Sequence, residues 1–222
     1  MFHVKHFLLF LFFLNSLLSA EGQGGLILED KPFVYEHKTD SSIWKELSSQ
    51  PDFILLNTEE QKFFYWTNLF RSRPKWFYEN AVQPFLTQFP EANTSEAQSL
   101  RIELLSAAPL VGLLPDRGVI MMAKKHAIEL RSANGGISHT SPSGKGFIER
   151  MKEAGSYTCG AENLYAGTHD PLMALILLLL DHGVIGLGHR RNLMDTSVQL
   201  MGVSFIADEG NRSILVQVMA CR

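Results

Sequence analysis

From Asp116 to Ala133 the apolar residues recur three and four positions apart. Val119, Met122, Ala123, His126, Ala127 and Leu130 fall on one stripe, the signature of an amphipathic helix with one buried face. His126 lies inside that stripe, so it reads as a core histidine with a hydrogen-bond partner and not as a ligand. The "NGG" at 134–136 ends the helix. Upstream, "TEEQ" (58–61) has capping-box spacing with acidic residues in the first turn, and the aromatic "KFFYWTNLF" that follows reads as a helix interrupted at Pro74. "SEAQSLRIELLSA" (95–107) predicts another helix, stopped by Pro109. "SPSGKGFIERMKEAG" (141–155) predicts a loop and then a short helix.

The run "PLMALILLLL" (171–180) is apolar on every side. Asp170 suits the N-cap and Pro171 the first helical position. The run is about half the roughly 20 residues that a bilayer span needs, so a helix buried on most sides is expected. Past residue 199 the period changes. "LMGVSFIA" and "SILVQVMAC" are apolar and β-branched on both faces and are separated by "DEGNR", which predicts a hairpin inside a sheet covered on both sides. Residues 23–57 are weakly patterned and read as an N-terminal extension or linker with one short helix near Trp44. No internal repeat is visible.

The first 22 residues stand apart. Lys5 precedes an apolar block from Phe7 to Leu14 and then small residues, the layout of a secretory signal peptide cleaved near Ala20 or Gly22. A secreted, periplasmic or extracellular location follows, with no membrane span in the mature chain. Export makes a disulfide permissible, and Cys159 and Cys221 are the only two cysteines, so their pairing is expected. Two cysteines cannot make a structural thiolate zinc site, so any metal must rely on histidine and carboxylate. A net charge of -3 over 222 residues gives no electrostatic footprint for nucleic acid.

Three glycine-flanked stretches concentrate titratable residues, and all are read as loops or element ends. They are "GGISHTSPSG" with His139, "CGAENLYAG" with Glu162, and "DHGVIGLGHRRN" with Asp181, His182 and His189. By spacing alone these are weak. HExxH, GxSxG and P-loop patterns are absent. Their order, however, resembles the CAP superfamily (the cysteine-rich secretory, antigen 5 and pathogenesis-related-1 domain), in particular its bacterial secreted branch. "NLFR" (68–71) resembles the family's Asn-x-x-Arg. "LLPDRGVIMMAKKHAIEL" resembles its second-helix region, "SHTSPSG" its first histidine motif, "GAENL" its Gly-Glu-Asn motif and "GHRRNLMD" its Gly-His-Arg-x-Asn motif; "MGVSF" begins the expected strand.

The resemblance covers about residues 58–222 and implies an α+β fold, a three-layer α-β-α sandwich with the C-terminal hairpin in the central sheet. It also implies a cleft lined by two histidines and two acids. His139, Glu162 and His189 match three of these. The fourth, a Glu on a Trp-containing helix, has no counterpart in the apolar run, and Asp181 or His182 is the substitute offered by the adjoining loop. Two imidazoles and a carboxylate are adequate ligands for Zn²⁺ or another divalent metal. Arg190 or Arg191 and Asn192 are expected to brace the last loop, as an ion pair or carbonyl cap in preference to an anion site. The implied function is a binding domain for an extracellular ligand or protein, a lipid or a cell-envelope glycan. The alternatives are a hydrolase using Glu162 with His139 or His189, and a purely structural extracellular module.

Overall fold

The structure, a computed structural model, describes residues 25–133, 136–207 and 212–222. The expected signal peptide, most of the helix-ending "NGG" and most of the hairpin turn lie outside the described residues. Among the described residues the α-helical segments are, in chain order, α1 (Ser41–Ser48), α2 (Thr58–Ser72), α3 (Pro74–Phe77), α4 (Gln83–Gln88), α5 (Ser95–Ser106), α6 (Arg117–Ser132), α7 (Phe147–Ala154), α8 (Pro171–Leu180) and α9 (Gly188–Met194). The strands are β1 (Leu114–Pro115), β2 (Cys159–Gly167), β3 (Leu200–Ala207) and β4 (Ser213–Cys221).

The sheet runs β1-β3-β4-β2, with β1 parallel to β3 and the other pairs antiparallel. The strand period of two divides β4 cleanly. Ile214, Val216, Val218 and Ala220 face a layer built by α6 and α7, while Leu215, Met219 and Cys221 face a thicker layer that includes α2 and α8. Every residue of β4 is buried, as its two-sided apolar sequence demands. This is the α-β-α sandwich, with the C-terminal hairpin strands inside the sheet.

Local signals explain most of the element boundaries. Asp116 accepts from Gly118 N and Val119 N at the start of α6, and Asp170 accepts from Met173 N at the start of α8. The capping box of α2 is shifted one residue from the expected position. Asn57 accepts from Glu60 N at 2.9 Å while Glu60 accepts from Asn57 N at 2.8 Å, so the pair is Asn57/Glu60 and not Thr58/Gln61. Asn is at least as good an N-cap as Thr, and only Glu60 can also reach Phe205 N in β3 and Lys124 on α6. Glu162 also departs from expectation. "CGAENLYAG" is not a loop but an edge strand, paired along its whole length with β4 from Cys159↔Cys221 to Gly167↔Ser213. The expected disulfide closes the first of those pairs, with the two Cα atoms 5.0 Å apart.

Residues 25–40 run over the α2–α4 surface without regular structure. Phe33 is buried against Phe85 and Phe89, and Gln88 exchanges two hydrogen bonds with the Val34 backbone, at 3.0 and 2.7 Å. The segment from Gly25 to Asn57 is therefore part of the core packing, with α1 where a helix near Trp44 was expected.

Gly202 carries the closest helix–sheet approach. A Cβ there would lie inside the van der Waals envelope of the Val119 and Ile120 backbone, because the first turn of α6 rests directly on β3. Neither partner is a flexible side chain that can swing away. Gly202→Ala is expected to cost about 3 kcal/mol, at the upper end of ordinary overpacking, and to lower the urea midpoint without changing the slope. An unchanged midpoint would refute this account of how α6 sits on the sheet.

Candidate functional site

The histidine-bearing segments meet the sheet at β2, its free edge. Successive residues of a strand face opposite sides. Glu162 pairs with Val218 and faces the α6–α7 layer; Asn163 pairs with Gln217 and faces the α8–α9 side. Two separate clusters result.

In the first cluster His139 donates from Nδ1 to Glu162 Oε1 at 2.9 Å. Arg150 of α7 clamps the same carboxylate with both terminal nitrogens, Nη1 to Oε2 at 2.7 Å and Nη2 to Oε1 at 2.9 Å, and also donates to the His139 carbonyl at 2.8 Å. His126 of α6 donates from Nε2 to the Ser138 carbonyl at 2.9 Å, so the loop carrying His139 is tied to two helices. His126 is thus the core histidine with a hydrogen-bond partner that its place in the apolar stripe predicts. Burial pushes the Glu162 carboxyl up, but the hydrogen bonds from His139 and Arg150 and the Arg150 charge outweigh it and hold the group below the usual carboxylate range. The His139 side chain is 56% exposed while that of Glu162 is 2% exposed: the carboxylate is a buried anchor and the imidazole its exposed tip.

In the second cluster Asp181, the last-turn cap of α8, adopts a left-handed backbone at φ 55°. That turn aims its buried carboxylate at the start of α9. Oδ2 accepts from His189 N at 2.8 Å and Arg190 N at 3.2 Å, and Oδ1 accepts from His189 Nδ1 at 2.6 Å. Arg190 reaches back, donating to the Leu179 and Leu180 carbonyls at the end of α8, to the Glu96 carbonyl and to Ser99 on α5. The expected carbonyl cap is what Arg190 makes. Asn192 donates to Asn163, and Asn163 to Gln217, which fastens α9 to the sheet. The family-like Asn68 and Arg71 serve the same end. Asn68 exchanges two bonds with Leu113, and Arg71 binds the Leu193 and Asp195 carbonyls at the other end of α9.

The structure thus joins His139 with Glu162 and His189 with Asp181. His182 stands apart, 3.3 Å from Glu96 on α5. Among the described residues no side-chain hydrogen bond joins the His139–Glu162 pair to the His189–Asp181 pair. Among the described residues no three His, Cys, Asp or Glu side chains gather closely enough to hold a metal ion. As a direct ligand Glu162 fits poorly, since Arg150 already occupies both its oxygens. The two imidazoles differ from it in a useful way. Each has Nδ1 bound to a buried carboxylate, and neither Nε2 has a hydrogen-bond partner among the described residues. Arg150 is the residue that sequence reasoning missed. It falls in the apolar stripe of its helix with Phe147, Met151 and Ala154, and a lone charge on a buried face was the available signal.

An α-β-α sandwich with carboxylate-held histidines at its open edge defines the class of domain. The family model described as "CAP: Cysteine-rich secretory protein family" matches residues 67–220, and the chain belongs to that family. Among solved structures, an extracellular protein containing an SCP domain from Bacillus anthracis str. Ames is 20% identical with a TM-score of 0.50, over 78% of this chain and 44% of that one. The chain therefore spans less than half the length of that protein, and the likeness speaks to the fold. An outer surface protein from Borrelia burgdorferi is 24% identical with a TM-score of 0.43, over 51% of this chain and 80% of its own. No curated protein matches the chain in sequence.

Both buried titrating groups of the first cluster make the domain acid-sensitive. Burial, the largest influence, pushes the His126 imidazole below its ordinary value near 6.5, with Arg150 adding to the effect and Glu162 and Glu129 opposing it. Above pH 6.5 folded and unfolded chains both hold it neutral. As pH falls below 6.5 the unfolded chain takes the proton first, and stability declines toward the lowered folded value. The depressed Glu162 adds a second contribution, a stabilisation present in full above its unfolded value near 4.5 and lost as pH falls from there through its folded value. Urea midpoints measured from pH 8 to 2 are expected to fall in these two stages, and His126→Gln to lessen the first. A variant profile parallel to that of the parent would overturn the assignment.

Proposed function

We propose that the chain is a secreted CAP-domain binding protein, with residues 1–22 as signal peptide, 23–57 as an N-terminal extension and 58–222 as the CAP domain. It acts in the extracellular or periplasmic space and presents His139 and His189 on either side of the free edge of β2 to a divalent metal, Zn²⁺ being the best match, and through it to an extracellular partner. The apolar leader and the Cys159–Cys221 bridge support export. No helix among the described residues is long and apolar enough to cross a membrane. Partners with suitable chemistry are a cell-envelope glycan, a lipid headgroup or a protein.

One observation carries this reading: two imidazoles, each with Nδ1 on a buried carboxylate and Nε2 left open. Metal-binding histidines are typically held this way, with the carboxylate fixing the tautomer and raising the basicity of the other nitrogen. Glu162 and Asp181 are then supports of the ligands rather than ligands. A bound metal would supply Lewis acidity and an anchor for an anionic group. The residues themselves orient the two ring nitrogens toward the edge of the sheet. The hydrolase alternative is less well supported by the same geometry. Glu162 has a lowered pKa and a bidentate arginine, and a general base is better poised near the working pH.

Zinc titration of the purified chain, by calorimetry and thermal melting, tests the proposal. One equivalent of Zn²⁺ is expected to bind and raise the melting temperature. His139→Ala and His189→Ala should each abolish the effect, and Asp181→Asn should weaken affinity about tenfold or more. No binding by the parent chain, or binding that survives both alanine variants, would leave the two pairs as structural anchors only.

A further inference from the structure

The segment from Gly25 to Asp40 ends in an aromatic enclosure far from β2 in the element order. The His37 ring lies 4.9 Å from Trp66, 5.3 Å from Trp76, 6.0 Å from Tyr35 and 6.3 Å from Tyr65, centroid to centroid. Tyr65, almost wholly buried, is the junction. Its oxygen accepts from Asp40 N at 2.8 Å and lies 2.9 Å from His37 Nε2. A neutral His37 with Nε2 unprotonated satisfies this chain of bonds: Asp40 N–H donates to Tyr65, and Tyr65 O–H donates to His37. Protonated Nε2 must itself donate. The Tyr65 oxygen then faces two donors, and its own proton loses its acceptor inside the core.

We propose that His37 is an acid-sensitive latch that holds residues 25–40 onto the α2–α4 surface near neutral pH and releases them when it takes up a proton. The facing groups make the balance clear. Asp40 favours the imidazolium, but its carboxylate is engaged by Arg73 at 2.8 Å and by Ser42. Tyr35 and Tyr65 are both neutral at physiological pH, their hydroxyls pushed up by burial. The indoles of Trp66 and Trp76 offer a cation some attraction, yet burial still pushes the His37 pKa down. Of the remaining anchors, Phe33 among Phe85 and Phe89 and the Gln88 amide on Val34 do not titrate; Glu29 N donates to Glu91, and that bond holds the Glu91 carboxyl below its usual range, so it stays ionised at the pH values at which His37 is protonated. None is a strand or helix bond, so once the His37 end is free the segment has no secondary structure of its own to preserve it. Release would bare the Trp66 and Trp76 rings and the Phe33 cavity, none of which belongs to the histidine pairs at β2.

Amide hydrogen exchange on the full chain tests the latch, with each rate corrected for the intrinsic effect of pH. Residues 25–40 are expected to lose protection at least tenfold between pH 7 and pH 5, while β3 and β4 lose far less, which separates local release from general acid weakening. His37→Gln, whose side-chain oxygen can still accept from Tyr65 but cannot titrate, should hold protection at pH 5 near its pH 7 value. Equal protection of the parent segment at both pH values, or full pH dependence in the Gln variant, would overturn the proposal. Should His37→Gln leave the segment open even at pH 7, Tyr65→Phe decides. With the hydroxyl removed, the drop is expected to shrink well below tenfold, and its persistence in full would overturn the latch.

Discussion

A seven-residue helix cannot hold itself together in water, because nucleation outweighs the few hydrogen bonds it gains. The placement of His189 therefore depends on what grips α9 from outside. Charged groups do so at both ends. Asp181 supplies a negative charge and an acceptor to the first N–H groups, and Arg71 supplies a positive charge and donors to the last carbonyls, each at the end where the helix dipole favours it. Arg190, on the helix itself, returns the favour to α8 by binding its terminal carbonyls. Removal of one partner would leave a buried charge or several buried carbonyls unmet, which is worth several kcal/mol in general. The apolar helix α8 is thus more than filler for the core. Its last turn fixes the residue that aims His189.

Asp181 stands at the C-terminal cap of α8, where a left-handed backbone turns its carboxylate toward the next element. A left-handed conformation at a non-glycine residue carries a steric cost. Asp tolerates it better than most residues, and its three hydrogen bonds offset the strain. Leu187 has the same backbone sign at φ 52°, so the seven residues between α8 and α9 are closed by two such turns, with Gly183 and Gly186 also at positive φ. The glycines that drew attention in the sequence shape this short return path.

Much of the architecture was legible because it rests on local periodicity. The α6 stripe, the all-round apolar α8 and the two-faced hairpin strands each report their own burial, and His126 reads correctly from its place among apolar neighbours. What the sequence obscured depends on contacts between distant segments. Glu162 sits in "CGAENLYAG", whose small and polar residues lack strand propensity; it is a strand because β4 pairs with every residue of it and a disulfide closes the end. The α2 cap moved from Thr58 to Asn57 because Glu60 is also wanted by β3 and α6. His139, Glu162 and His189 were expected to line one cleft. The strand alternation that puts Glu162 and Asn163 on opposite faces could only be applied once that segment was known to be a strand.

The same alternation constrains the chemistry. Two residues on opposite faces of an edge strand can address one ligand only at the rim they share, and among the described residues no further strand lies beside β2 to block that rim. Each imidazole arrives there with its tautomer already chosen by a carboxylate from its own side of the sheet. Glu162 cannot easily change that role. To accept a proton or a metal it would have to release Arg150, whose buried guanidinium would lose its counter-charge, and the His139 loop would lose the carbonyl bond that Arg150 also supplies. In the proposed reading the site acts through the two Nε2 atoms, and the buried acids and arginines serve to keep those atoms exposed and oriented.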